Sequence, residues 1–190
     1  QRDPVRYFQR PDADHLALDA SRTSLQGHAA ELTLVHTGSW LASLELRQVS
    51  PGFEFNDLGF HGRVDARSAV TFLGRQVERP RGILRSQDYW ITSFHAWNFD
   101  GDAILQGASG NAEVTFTNLW RTGLNTGFRP EHGNDRLTRG GPLAATPAQW
   151  HAEGWVETDR RSPVSMRASA RHWEDASGAR EQVLGTRLEL

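Results

Sequence analysis

The sequence AELTLVHTGSWLASLELR, residues 30–47, contains two alternating runs on either side of a tight turn. Leu32 and Leu34 alternate with polar residues ahead of the turn at Gly38, and the alternation resumes from Trp40. Successive side chains of a β-strand point to opposite faces of a sheet, so a period of two indicates a strand with unlike faces. The two runs and the short turn therefore predict a β-hairpin that is apolar on one face and polar on the other.

The same alternation recurs along the rest of the chain, and no long segment shows a helical period. We therefore predict an all-β fold, an antiparallel up-and-down meander of about ten strands of roughly 9–13 residues each. Residues 1–22 are predicted to form an irregular lead-in, and residues 23–190 to carry the strands, with long loops at 50–58 and 129–147. The further alternating runs lie at residues 60–66, 69–79, 82–97, 114–120, 149–158, 163–173 and 182–190.

The composition excludes several classes of protein. The 190 residues permit one domain, and a formal net charge of -2 gives no basic excess that would favour a nucleic-acid partner. The chain has no Cys, which excludes a disulfide scaffold and a thiolate zinc site. All 21 basic residues are Arg, whose planar guanidinium groups pair well with carboxylates in confined space. No apolar run reaches the length of about 18 residues that a transmembrane helix requires.

The length of the alternating runs favours a membrane barrel. Strands of soluble proteins average about 5–6 residues, whereas about 9–11 residues cross a bilayer at a tilt. Outer-membrane barrels have an apolar outer face, a polar interior and aromatic residues at the membrane interfaces. We therefore predict part of an outer-membrane β-barrel, with Leu32, Leu44, Phe116 and Met166 on its lipid-facing side. The Trp residues, which we expect near the ends of runs, are Trp40, Trp90, Trp97, Trp120, Trp150, Trp155 and Trp173.

A soluble all-β domain of the carbohydrate-binding or glycoside-hydrolysing type is the alternative. Its polar face would lie in bulk water, and alternation alone does not separate it from a barrel. In that alternative Glu54 and Asp57 would be the paired carboxylates on either side of a glycosidic bond. The sequence does not fix the separation of these two carboxylates.

Six stretches carry a resemblance to a known family. In order, they are similar to a bacterial family of unknown function in which an outer-membrane barrel region follows a family-nine-like carbohydrate-binding domain. The resemblance implies a Gram-negative outer-membrane location, contact with outer-membrane lipid, and carbohydrate binding through a preceding domain. It supplies no catalytic residues. The stretches are YFQRPDADHLALD (7–19), TSLQG (23–27), SPGFEFNDLGF (50–60), WNFDGD (97–102), DRLTRGGPL (135–143) and DRRSPV (159–164).

We accordingly expect residues 1–190 to be a single domain that is a fragment of a larger barrel. Its predicted role is transport, or the anchoring of a carbohydrate-recognising domain at the cell surface, without enzyme activity in this segment. The chain has no HExxH, GxSxG or phosphate-loop motif, so no catalytic residue, cofactor or metal site is predicted.

The candidate site residues lie in the two long loops. Glu54 and Asp57 are the carboxylates of the first loop, and Asp135, Arg136 and Arg139 are the charged residues of the second. Guanidinium groups form bidentate pairs with carboxylates, and the two glycines that follow Arg139 permit a close backbone approach. We therefore expect the loops to meet inside the barrel through salt bridges and to narrow its lumen as a gate.

Overall fold

The computed structural model describes residues 10–16, 24, 26–53 and 63–190, and within these ranges the chain folds as strands and turns with no helix. Nine strands form one antiparallel sheet in the order β1-β2-β3-β4-β5-β6-β9-β10-β11, and β7 pairs with β8 in a separate two-stranded sheet. The strands are β1 Ala29–His36, β2 Trp40–Val49, β3 Ala66–Val77, β4 Leu84–Trp97, β5 Ala103–Phe116, β6 Arg121–Arg129, β7 His132–Asn134, β8 Ala144–Thr146, β9 Gln149–Glu157, β10 Ser165–Asp175 and β11 Arg180–Glu189.

The sheet is not closed. β1 and β11 are its two edges, and neither pairs with a further strand in the part of the chain that the structure describes. An all-β antiparallel meander is therefore confirmed, whereas closure into a barrel is not observed. No helix among the described residues is long and apolar enough to span a membrane.

The strand register divides the side chains into two unlike faces. Leu34 pairs with Leu44 and Leu73 pairs with Ile91, in two neighbouring rows of the same face that continue into the later strands. We call this side the apolar face and the opposite side the polar face. The apolar face carries Leu32, Leu34, Leu44, Leu46, Leu73, Ile91, Leu124, Val156, Met166 and Leu184, with Thr71 and Ser93 among them. The polar face carries Glu45, Thr92, Ser109, Asn111, Glu113, Asn125, Glu153, Arg167 and Arg171, with Phe72, Trp90 and Phe94 among them.

The four residues predicted to share an outer side do share the apolar face. Leu32 is 51% exposed and Met166 is 48% exposed, and Leu44 and Phe116 are partly covered. Only one large sheet is present in the described ranges, so these side chains do not converge on a core between two sheets. Two sheets packed face to face are therefore not the arrangement of this part of the chain.

The connections lie at the two opposite ends of the strands, because successive strands of a meander run in opposite directions. The names turn edge and loop edge below refer to these two ends, not to the edge strands β1 and β11. Connections 37–39, 78–83, 117–120 and 158–164 lie at one edge, which we call the turn edge, and all are short. Connections 50–65, 98–102, 130–148 and 176–179 lie at the other, which we call the loop edge. Both long connections are therefore at the loop edge, and tight turns there use positive φ at Gly101 and Gly178.

Several sequence boundaries need correction. The runs at 60–66 and 69–79 were expected to be separate, but a single strand, β3, begins at Ala66 after the positive φ of Asp65. The second long loop is not wholly irregular, because it contains the β7–β8 hairpin. Residues 54–62 lie outside the described ranges, so the predicted end of the first long loop at residue 58 stays a prediction.

The Trp residues do not all lie at the ends of strands. Trp40, Trp97 and Trp150 do lie at strand ends, and all three belong to the apolar face. Trp90 is central in β4 on the polar face, and Trp155 and Trp173 also lie on the polar face. The sequence therefore predicted the position of Trp residues at strand ends only in part.

Candidate functional site

A segment of the lead-in, residues 10–16, is fastened across the loop edge by Arg10. The Arg10 side chain is 3% exposed, and its Nη2 donates to Asp102 Oδ2 at 2.9 Å. Its Nε lies 3.5 Å from Asp12 Oδ1, and the other Asp12 oxygen accepts a hydrogen bond from the Leu143 backbone N–H at 2.7 Å. One short segment thus joins the β4–β5 turn to the β7–β8 region.

The β4–β5 turn is built around Asn98, which is 1% exposed. Its Nδ2 donates to Asp102 Oδ2 at 2.7 Å, and its Oδ1 accepts from the Asp102 N–H at 2.8 Å. Burial raises the pKa of Asp102, but the hydrogen bonds from Asn98 and Arg10 outweigh it and hold the pKa below its usual value. Burial also opposes the charge of Arg10, yet the hydrogen bond to Asp102 and the nearby carboxylates leave the pKa of Arg10 raised.

His15 joins the same segment to a second pair of carboxylates. Its Nε2 lies 2.9 Å from Asp65 Oδ1, and its Nδ1 lies 3.4 Å from Asp100 Oδ1. Asp65 also accepts a hydrogen bond from the Phe99 backbone N–H at 3.0 Å. The guanidinium of Arg67 stacks on the Phe99 ring at 4.2 Å. The lead-in, the start of β3 and the β4–β5 turn therefore share one polar cluster.

Asp135 and Arg136, two of the predicted site residues, belong to this cluster. Asp135 is buried and its Oδ2 lies 2.5 Å from Arg63 Nη2. Burial and the charge of Arg63 lower the pKa of Arg136, and the charges of Asp135 and Asp65 oppose that shift. Asn134 Oδ1 fixes the local backbone by accepting from the N–H of Arg136 at 3.1 Å. Arg63 was not singled out as a site residue in the sequence, because nothing local marked it as the partner of Asp135.

The other predicted site residues have different outcomes. Arg139 is exposed, adopts a φ of 52°, and makes no ion pair with any residue of the described ranges. Glu54 and Asp57 lie outside the described residues, so their expected pairs with Arg136 and Arg139 stay predictions. Asp135 and Arg136 lie in the cluster, whereas Arg139 contacts Arg136 through its backbone N–H, at 3.2 Å from the Arg136 carbonyl, and its side chain is exposed.

Two glycines bring other motif residues into contact at the same edge. A Cβ added to Gly27 would lie 2.1 Å from the Phe53 nitrogen, and one added to Gly52 would lie 2.1 Å from the Gln26 oxygen. Only glycine allows backbones to approach this closely. The motifs TSLQG and SPGFEFNDLGF, which lie far apart in the sequence, therefore meet where β1 begins and β2 ends.

The polar cluster at the loop edge, which we call the loop-edge cluster, holds several loops together. Its carboxylates Asp12, Asp65, Asp100, Asp102 and Asp135 each contact a cation, an imidazole or a backbone donor. No group of three or more described His, Asp or Glu residues is arranged to hold a metal ion. Five of the six motif stretches contribute to this edge, and only DRRSPV lies at the turn edge.

A second polar region lies on the polar face of the sheet. A cavity of about 700 Å³ opens there between β5, β6, β9 and β10, lined by charged and aromatic side chains. His151 Nε2 lies 3.0 Å from Asn125 Oδ1 within this region. Nearer the turn edge, Arg121 pairs with Glu113 and lies 3.6 Å from the buried carboxylate of Glu157.

Rings on the polar face lie over glycines of the neighbouring strand. The Trp155 ring has Arg167 at 4.1 Å and Arg121 at 5.6 Å, and it covers Gly123 so closely that a Cβ there would lie 2.5 Å from its Nε1. His151 covers Gly127 in the same way, at 2.4 Å. Sequence alternation predicted the polar register of this face but not this packing of rings onto glycines.

One family matches the chain: the domain of unknown function DUF5916, over residues 10–189. No curated protein and no solved structure matches it. The resemblance drawn from the motifs is therefore confirmed as far as a domain of unknown function. The outer-membrane location and the preceding carbohydrate-binding domain stay predictions.

Proposed function

Because the chain belongs to DUF5916, a family of domains of unknown function, we propose its role from the geometry of the described residues. The domain forms part of the wall of an outer-membrane β-barrel, with its apolar face toward lipid and its polar face toward the interior. The observation that carries the proposal is a single sheet of nine strands whose two faces differ in polarity along its whole width.

The exposure of the apolar face supports this orientation. Leu34, Leu73, Ile91 and Leu124 are each between 42% and 54% exposed, and no second layer covers them in the described ranges. Soluble monomers rarely expose an apolar surface of this extent, because apolar area in water costs about 25 cal/mol per Å². Lipid tails would cover the face without a protein partner.

The polar face supports the same orientation from the other side. Several of its charges are paired within the sheet, as in Arg171 with Glu181 at 2.9 Å and Arg121 with Glu113. In a barrel interior, water and neighbouring charges stabilise such groups, and interior residues alternate with lipid-facing ones. The cavity on this face would then be part of a water-filled passage.

The apolar positions shift along the strands from one edge of the sheet to the other. Leu44 of β2 shares a transverse row with Glu174 and Arg180 of β10 and β11. The apolar residues of those last strands, Met166 and Leu188, lie nearer the turn edge. An apolar band that runs obliquely across the sheet is the pattern expected when strands cross a bilayer at a tilt of about 35–45°.

The position of the long connections gives the barrel a direction. Outer-membrane barrels have short periplasmic turns and longer external loops, so the loop edge would face outward. In this orientation the loop-edge cluster narrows the outer mouth, and the role is transport or the anchoring of a surface domain. The link to carbohydrate recognition rests on the resemblance and belongs to a domain that would precede this one.

Single-Cys variants test the orientation, and these 190 residues contribute no Cys of their own. Ser93→Cys and Ala152→Cys lie on the apolar face, and their neighbours Thr92→Cys and Glu153→Cys lie on the polar face. Each is spin-labelled in the full-length protein in lipid vesicles, and its collisions with oxygen and with a water-soluble nickel chelate are measured.

We expect the labels at Ser93 and Ala152 to collide preferentially with oxygen, which concentrates in lipid. The labels at Thr92 and Glu153 should collide preferentially with the nickel chelate. Equal access of the chelate to all four labels, or recovery of the protein from cells without detergent, would contradict the barrel and support the soluble alternative.

A further inference from the structure

The apolar face contains a furrow along β5. Gly110 and Ala112 form its floor, and larger side chains of β2, β3, β4 and β6 form its walls. Its volume is about 330 Å³ and its lining is mostly apolar. The wall side chains on the apolar face are those of Trp40, Leu73, Tyr89, Ile91, Leu124 and Thr126. An apolar groove of this volume can hold part of one hydrocarbon chain.

A cationic cavity adjoins the furrow at the turn edge. It has a volume of about 550 Å³, and Arg75, Arg79 and Arg81 line it together with Gln87. Tyr89 lines both spaces, so the furrow leads directly into this cavity. The Tyr89 hydroxyl donates to Gln87 Oε1 at 2.7 Å, which holds the polar end of the ring toward the arginines.

The three arginines have no carboxylate partner among the described residues. Arg75 stacks on the Trp40 ring at 5.0 Å, which positions its guanidinium at the end of the furrow. Arg81 is held by backbone hydrogen bonds with Leu84 at 2.8 and 3.1 Å across the tight turn. The nearby acidic residues, Glu78 and Asp88, do not line the cavity. The cavity therefore carries a net positive charge and complements an anion.

We propose that the furrow and the arginine cavity together bind one anionic phospholipid. The inference rests on the proposed membrane location, and it assigns a specific lipid site to the apolar face. An acyl chain lies over Gly110 and Ala112, and the phosphate is bound by Arg75, Arg79 and Arg81. Guanidinium groups match phosphate oxygens in bidentate geometry, and Trp and Tyr are stable at the level of lipid headgroups.

The charge of the headgroup distinguishes this site from general lipid contact. Each Arg near a membrane surface contributes about 1 kcal/mol to anionic lipid binding, and about 1.4 kcal/mol is tenfold in affinity. The double variant Arg79→Gln, Arg81→Gln should therefore bind phosphatidylglycerol roughly 10- to 30-fold more weakly. Its affinity for phosphatidylcholine should not change.

The experiment titrates the full-length protein, purified in zwitterionic detergent, with phosphatidylglycerol and with phosphatidylcholine, and counts bound lipids by native mass spectrometry. Wild type should retain one phosphatidylglycerol in preference to phosphatidylcholine. Ala112→Phe fills the furrow and should weaken the retention of both lipids. The matched control Arg47→Gln, Arg180→Gln removes the same charge at sites outside the cavity and should bind as wild type.

Equal retention of the two lipids by wild type would overturn the proposal. It would also be overturned if the two double-Arg variants lost the same amount of phosphatidylglycerol binding. Strong binding of inorganic phosphate, unaffected by Ala112→Phe, would also overturn it, because the furrow would then have no role. If these results occur while the spin labels still alternate between lipid and water, only the lipid site fails. If all four labels are accessible to the water-soluble chelate, the result contradicts the proposed membrane location itself.

Discussion

Arg10 is the residue on which the loop edge depends most directly. It is almost fully buried and its nearest partner, Asp102, is also held by Asn98. Removing a cation from such a site leaves a carboxylate without its charge partner, which costs more than the loss of a surface pair. The lowered pKa of Asp102 expresses the same coupling, because the folded state stabilises its charged form.

Acid should release the lead-in segment through Asp102. A carboxyl with a lowered pKa in the folded state adds stability above its ordinary pKa, and this stability is lost as pH falls through the folded pKa. Hydrogen exchange of the Ala13 amide, which donates to the Arg10 carbonyl at 3.3 Å, reports the segment. We expect its protection to fall as the pH drops below about 4, and to fall less in Asp102→Asn, which is already destabilised at pH 7.

The difference between wild type and Asp102→Asn isolates the contribution of Asp102. At neutral pH, Arg10→Met should cost about 2 kcal/mol of this local protection, the scale of a hydrogen bond to a charged group. Arg161→Met, whose pair with Asp159 is at the surface, is the control and should have a much smaller effect. Equal effects of the two substitutions would refute the assigned role of Arg10.

At the scale of elements, β6 shows how the two faces of the sheet differ. Gly123 and Gly127 are buried under rings of β9, whereas Leu124 and Phe128, which point the other way, are more than half exposed. The glycines allow the rings to lie flat on the polar face. Glycine is needed at both positions because the neighbouring ring leaves no room for a Cβ. Neither residue has a positive φ.

Gly123→Ala should therefore destabilise the sheet by about 1–3 kcal/mol, the usual cost of overpacking. The added methyl would displace a Trp155 ring that is held between two guanidinium groups. Gly110→Ala is the matched control, because a Cβ there meets its nearest atoms at 3.9 Å. It should be neutral or slightly stabilising. Urea unfolding of the three proteins measures the difference, and similar midpoints for all three would contradict the packing.

Sequence alternation predicted the strands well because it records one local property, the difference between the faces. The strands β9, β10 and β11 begin and end within about three residues of the predicted runs, inside the usual uncertainty of boundaries. β5 was the hardest to predict, since Gly110 interrupts its apolar register. Because of that interruption, the sequence did not show β5 over its full length. The alternation of connections between the two ends of the strands was therefore not apparent around residues 98–118.

The loop-edge cluster was beyond prediction because its contacts are long-range. Arg10 and Asp102 are separated by 92 positions, and Arg63 and Asp135 by 72. The sequence indicated charged loops at 50–58 and 129–147, but it gave no reason to pair either loop with the lead-in. The motifs were nevertheless informative, since most of them turned out to be parts of one edge.

At the scale of the whole molecule, two polarity patterns have to be explained together. The apolar face is exposed across nine strands, and the apolar band shifts along the strands from β2 to β11. A soluble sheet that docks on a partner would account for the exposed face. It would give no reason for a band that runs obliquely to the transverse rows. Tilted strands in a bilayer account for both patterns, because the band follows the membrane plane.

Ala170→Arg separates these explanations at one position. Ala170 is exposed, lies near the centre of β10 and belongs to the apolar face. In water, a charge at an exposed Ala changes the free energy of unfolding by within about 0.5 kcal/mol. At the centre of a bilayer, Arg on the lipid side of a barrel costs about 2–4 kcal/mol.

The matched control is Ser109→Arg, which places the same charge on the polar face, where the cavity of about 700 Å³ accommodates it. Folding of the full-length variants into lipid vesicles, measured by urea titration, should show a loss of about 2–4 kcal/mol for Ala170→Arg and less than 1 kcal/mol for Ser109→Arg. A small effect at both positions is the result expected of a sheet surrounded by water, and it would rule out lipid contact. A large effect at Ser109 alone would mean that the two faces are assigned the wrong way round.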